Sequence, residues 1–115
     1  MRKTQDSIGH YALFYTTVPD VSVGQEIARA LLNKKLAACI NIIPQVSSFY
    51  WWEDTIQQDQ EAILLIKSKA SLFKEIEEQI QLLHPYECPV FLQMDISRVT
   101  TGCLEWFQQV IADAL

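Results

Sequence analysis

His84 and Cys88 stand four residues apart in His84-Pro85-Tyr86-Glu87-Cys88-Pro89, and imidazole with thiolate is the ligand pair that copper and zinc favour. Pro85 and Pro89 rule out a regular helix presenting both on one face, so the pair reads as a loop site to be completed across subunits. The candidate ion is copper(II) or another divalent cation, and no other cofactor is indicated. The competing reading is a His84 that is packed or hydrogen-bonded near an interface. A second set, Asn41, Glu61, Lys67 and Tyr86, places polar groups inside apolar segments. They fit a cleft between subunits that orients a small ligand. They fit equally a set of interface hydrogen bonds and salt bridges, Glu61 pairing with Lys67 or with a neighbouring chain.

Enzymatic chemistry finds little support. Only three glycines are present and none forms a phosphate-cradling loop. No nucleophile elbow or Ser-His-Asp arrangement occurs. Cys39 lies in a buried-looking strand where a thiol is inert, and Glu75, Glu77 and Glu78 suit the solvated face of a helix. The chain reads as a non-enzyme.

The net charge of −5 argues against a nucleic-acid partner, and Arg29, Lys34 and Lys35 read as a solvated helix end. Three widely spaced cysteines form neither a disulfide framework nor a zinc ribbon. No apolar h-region follows Met1–Ser7, and no stretch approaches the ~20 apolar residues of a membrane span. A reduced, cytoplasmic setting without a membrane partner is expected.

These residues must be positioned by one domain, with residues 1–10 as a short tail and 11–115 as the folded unit. Tyr11 to Val18 reads as a strand ending at Pro19-Asp20. Asp20 or Ser22 caps the following helix, Ser22 with Gln25 fitting a capping box, and Ile27, Ala28, Leu31 and Leu32 form its apolar face. Ala37 to Ile43 is nearly continuous apolar, as in a strand buried on both faces. Pro44 marks a bulge or edge crossing. Ser47 to Trp52 resumes the strand, Glu53 to Gln60 suits a polar hairpin tip, and Glu61 to Ser68 returns. Ser71 to Leu83 is a second amphipathic helix stopped by His84-Pro85. Val90 to Ile96 is a fourth strand. Thr100 or Thr101 caps a last helix carrying Cys103, Trp106, Phe107, Val110 and Ile111. The order β-α-β-β-α-β, with right-handed crossovers, predicts an α+β fold: a ferredoxin-like split βαβ sandwich with an extra C-terminal helix. Its second sheet face, if apolar, must be covered by the last helix or by other subunits.

Phe49-Tyr50-Trp51-Trp52 adds an energetic constraint. Strand alternation sends Phe49 and Trp51 to one face and Tyr50 and Trp52 to the other. Four buried aromatics cover roughly 600–1,000 Å². At about 25 cal/mol per Å² that is some 15–25 kcal/mol gross. Helices on one side of a sheet cannot bury all four, so a long hairpin arm reaching a neighbouring chain is expected. The alternative is an intrachain core with Trp106.

Lys35-Leu36-Ala37-Ala38-Cys39-Ile40-Asn41, Ser48-Phe49-Tyr50-Trp51-Trp52-Glu53, Glu61 with Ile66-Lys67-Ser68, and His84-Pro85-Tyr86-Glu87-Cys88-Pro89 together resemble the CutA divalent-cation-tolerance proteins. The likeness runs in order from about Tyr11 to the C-terminus. It implies a homotrimer built around extended hairpins, similar in architecture to the PII signalling proteins, and a link to copper and other divalent-metal tolerance. Copper-binding members resemble a pattern with Cys at the end of the first strand and two His before Pro-Tyr. Thr16 and Leu83 occupy those positions here, and only His84 matches. Three functional readings follow: a CutA-like trimer in cation response, a PII-like sensor of a small anionic metabolite with Lys67 as its partner, or a scaffold for another protein.

Overall fold

In the computed structural model, the described residues are 4–6 and 10–112. Strand β1 spans Thr4–Asp6 and β2 Tyr11–Val18, and helix α1 spans Val21–Asn33. Strands β3 (Cys39–Trp52) and β4 (Thr55–Lys69) form the hairpin. A 3-10 turn at Ala70–Leu72 leads into α2 (Phe73–Leu83), followed by β5 (Phe91–Asp95), β6 (Arg98–Thr100) and α3 (Thr101–Val110). The main sheet is antiparallel with strand order β3-β4-β2-β5, and β1 pairs with β6 in a separate two-stranded ribbon that the sequence reading did not anticipate.

Alternation assigns the two faces of the sheet. Ala12, Phe14, Thr16 and Val18 of β2, with Ala62, Leu64, Ile66 and Ser68 of β4, are buried on one side. Phe14 stacks on Phe91, and Phe73 at the start of α2 closes on both rings, with centroids 6.0 Å from Phe14 and 4.9 Å from Phe91. Ile76 and Ile80 of α2 and Ile27 and Leu31 of α1 complete this core. Gly24 lets α1 approach closely, because a Cβ there would meet Leu64 Cδ1 at 3.0 Å. The three-helix α+β architecture with an antiparallel sheet is therefore as expected.

The opposite face carries Leu13, Tyr15, Ile63, Leu65, Asn41, Ile43, Leu92 and Met94 by the same register. Helix α3 protects its Tyr11 end, where the Phe107 ring lies 5.2 Å from that of Tyr11. Beyond that, Ile43, Leu92 and Met94 are exposed.

Several local expectations need correction. Of the two candidate caps Asp20 is the one used, its carboxylate accepting from Val23 N–H at 2.9 Å, and the capping box of Ser22 with Gln25 does not form. Leu32 is exposed rather than part of the apolar face. The Ala37–Ile43 run is not buried on both faces: β3 is an edge strand, with Ile40 and Ile42 half-buried toward the helices and Asn41 and Ile43 exposed. The polar tip at Glu53–Gln60 is mostly strand. Only Glu53 and Asp54 turn, with φ of 49° and 62°, the left-handed pair of a tight two-residue hairpin. Gln57 to Gln60 read as loop because the ribbon there lies outside the sheet, with no buried face to impose alternation. The bulge at Pro44 is present: register breaks between Ile43 and Val46, and Gln45 takes φ 56°.

The core predicts its own weak point. Phe14→Ala should cost about 3–5 kcal/mol, read as a fall in the urea midpoint at fixed protein concentration. A loss under 1 kcal/mol would mean that the Phe14-Phe73-Phe91 cluster does not hold α2 to the sheet.

Candidate functional site

The site is assembled where α2 ends and the hairpin leaves the sheet. Helix α2 closes with His84 N–H donating to Ile80 O at 2.8 Å, and Pro85 prevents continuation. The His84 ring turns inward and is buried. Its Nε2 lies 2.7 Å from the Thr17 carbonyl, while its Nδ1 receives the Tyr86 backbone N–H at 3.1 Å. A carbonyl only accepts, so Nε2 carries the proton; an amide only donates, so Nδ1 presents its lone pair. Both nitrogens are committed, and the ring is held as one neutral tautomer. This geometry aims Tyr86, whose ring lies 4.6 Å from the imidazole and whose hydroxyl donates to Glu61 Oε2 at 2.9 Å.

Glu61 faces Val46, in the β4 pairing next to the bulge, and it is only 8% exposed. Desolvation, and then the Glu61 carboxylate, push the Tyr86 phenol well above its usual pKa. Two residues outward on the same face, Asp59 accepts a hydrogen bond from the Tyr50 hydroxyl, which raises that phenol too. Thr17, His84, Tyr86 and Glu61 thus form one hydrogen-bonded chain from the central strand to the root of the arm. Asp59 and Thr17 escaped sequence reading. Only the i, i+2 spacing of Asp59 with Glu61 hinted at the first, and a backbone carbonyl leaves no sequence signal.

The other site candidates fall elsewhere. Lys67 faces Cys39 across the hairpin, Nζ to Sγ 3.9 Å, and Asn41 faces Leu65. Glu61 and Lys67 are six positions apart in one strand, about 20 Å at ~3.3 Å each, so the two do not meet within a subunit. Tyr86 and Glu61 converge; Asn41 and Lys67 do not join them. On the arm, Phe49, Trp51, Trp52 and Ile56 are 66, 72, 56 and 63% exposed, and Tyr50 is 40%. Trp106 does not cover them: its ring is placed against Phe107, 5.8 Å away.

Comparison with known proteins places this geometry. The profile of the CutA1 divalent ion tolerance protein family matches residues 12–110. The chain belongs to the CutA family. The CutA protein of Mus musculus is 36% identical over 102 residues, 89% of this chain and 58% of that protein, so the chain spans little more than half of that relative. The divalent-cation tolerance protein CutA of Thermus thermophilus is 37% identical over 93 residues, 81% of this chain and 90% of the relative. The crystal structure of CutA1 from Oryza sativa superposes with a TM-score of 0.88 at 34% identity, covering 90% of this chain and 95% of that one.

The CutA name raises a divalent cation, and the residues present do not fit a resident one. Among the described residues no group of three His, Cys, Asp or Glu could hold a metal ion. Cys88 is exposed, and both His84 nitrogens are taken by backbone groups. Thr16 is fully buried with its hydroxyl donating to the Val90 carbonyl at 2.6 Å, and Leu83 packs against the core.

The Tyr86–Glu61 bond has a pH signature. A phenol whose pKa is raised by folding stabilises fully below the unfolded value near 10 and loses that contribution as pH rises through the folded value. Tyr86→Phe should therefore flatten part of the fall in stability above pH 10, and phenolate absorbance should lose its latest-titrating tyrosine. Identical alkaline titrations for both proteins would dismiss the bond.

Proposed function

We propose that the chain is a homotrimeric CutA protein that serves divalent-cation tolerance, copper included, through assembly rather than catalysis. The observation that carries this reading is the projecting arm: an aromatic ribbon on a chain whose extents are 53 × 24 × 21 Å, with four side chains more than half exposed. Exposed apolar surface of this kind marks an interaction site. A split βαβ subunit with helices on one sheet face leaves its other face for neighbouring copies, and a contact between unlike patches closes into a ring when the rotation allows. The PII-like layout belongs to the same reading. Three free thiols suit a reducing, cytoplasmic setting. The anion-sensor alternative is the weaker one, since Lys67 stands far from Tyr86 within the subunit.

Light scattering at micromolar concentration should give three times 13.2 kDa, and a monomer would sink the reading. Trp52→Ala should weaken assembly at least tenfold more than Trp106→Ala; equal effects would return the aromatics to a subunit-internal role. Copper(II) titration with thermal melting addresses the ion. With the His84 nitrogens committed, His84→Gln should show the same copper-induced shift, relative to its own metal-free melting point, as the wild type. A shift that vanishes in the variant would restore His84 as a ligand.

A further inference from the structure

Charge is segregated along this chain in a way that neither the fold nor the family name explains. Between Leu36 and Ile66 there is no Lys, Arg or His, while Glu53, Asp54, Asp59 and Glu61 all lie there. From the turn to Glu61 the charges of the hairpin are all acidic. Cations resume where the hairpin meets the body: Lys34 and Lys35 close α1, and Lys67 lies near the end of β4. The loop after α1 runs beside that end, with Ala38 N–H donating to the Lys67 carbonyl at 2.9 Å and Ser68 Oγ bonded to the Leu36 carbonyl at 2.5 Å.

Strand β4 displays the segregation on one face. Asp59, Glu61, Ile63, Leu65 and Lys67 alternate onto the same side, the side that α1 and α2 leave open and α3 covers at its Tyr11 end. The row runs acid, acid, apolar, apolar, cation. Its apolar middle is widened by Ile43, Leu92 and Met94, all exposed. Glu61 is nearly buried, and Tyr86 supplies a hydrogen bond but no charge. A carboxylate in such a position requires a counter-charge or keeps an unfavourable desolvation, and Lys67 on its own strand stands about 20 Å away, six positions at ~3.3 Å each.

We propose that this counter-charge comes from a second copy of the chain, Lys67 of one subunit seating against Glu61 of the next across the open sheet face. The proposal rests on the assembly reading above and names the pair that sets its register. Apolar middles meet while acidic and basic ends pair, and a copy slipped along the strand would set a carboxylate or an ammonium against the apolar middle. Tyr86 and His84 then act as positioning residues, holding the carboxylate toward the neighbour. Lys67, found beside Cys39 in the lone subunit, is the long, adaptable partner.

A double-mutant cycle tests this without ambiguity, because ~20 Å within the subunit forbids direct coupling and distant substitutions add. The variants are Glu61→Gln, Lys67→Met and both together, with assembly read as the dissociation constant by sedimentation at two salt concentrations. Glu61→Gln keeps an acceptor for Tyr86. Each single change should weaken association about tenfold, and the double variant should be little worse than either single one. The salt dependence seen in the wild type should be lost in all three. Multiplicative losses with an intact trimer would overturn the pairing and leave assembly standing. A wild type monomeric throughout would overturn assembly itself, and the pairing with it.

Discussion

A strand that outruns its sheet has nowhere to put its side chains. β3 and β4 pair with each other up to the turn, but only their inner halves lie under α1 or beside β2, and beyond Glu61 the pair runs on as a two-stranded ribbon. A lone hairpin in water is marginal at best. This one carries Phe49, Tyr50, Trp51, Trp52 and Ile56, whose exposure costs solubility without contributing to the core. The rest of the molecule can be read as a response to that constraint. The edge position of β3, the sheet face that α3 covers only at its Tyr11 end and the clamp at the arm's root all bear on where that surface is presented.

The clamp is the chemically specific part. A neutral imidazole joins a β2 carbonyl to the loop after α2, and the loop returns a phenol to a carboxylate at the bulge. Each link is directional and buried or partly buried, so together they fix the angle at which the ribbon departs. The same hydrogen bonds that make His84 useful as a strut remove it as a metal ligand. Thr16 and Leu83 are likewise taken up by packing. Thr16 is committed to Val90 inside the core and Leu83 to the interior side of α2.

The sequence was legible where burial imposed a period. Tyr11–Val18, the Ile76/Ile80 face of α2, the stop at His84-Pro85 and the bulge at Pro44 followed from alternation, helical spacing and proline chemistry. It misled where no burial acts: Thr55–Gln60 is polar strand, and the edge placement of Ala37–Ile43 depends on strand order, which composition does not carry. In the site, Tyr86 and Glu61 were singled out as polar residues in apolar surroundings, and they meet. Asn41 and Lys67 were singled out by the same logic. They lie elsewhere on the open face because side-chain type cannot report distance along a strand.

Backbone amide exchange along the arm is the most direct measure of whether its surface is covered. Residues 47–52 and 55–60, followed by hydrogen–deuterium exchange at micromolar protein, should be protected as strongly as β2 and should lose that protection together on dilution below the dissociation constant. Exchange within seconds at every concentration, with β2 still protected, would show an arm that no neighbour holds and would contradict the account.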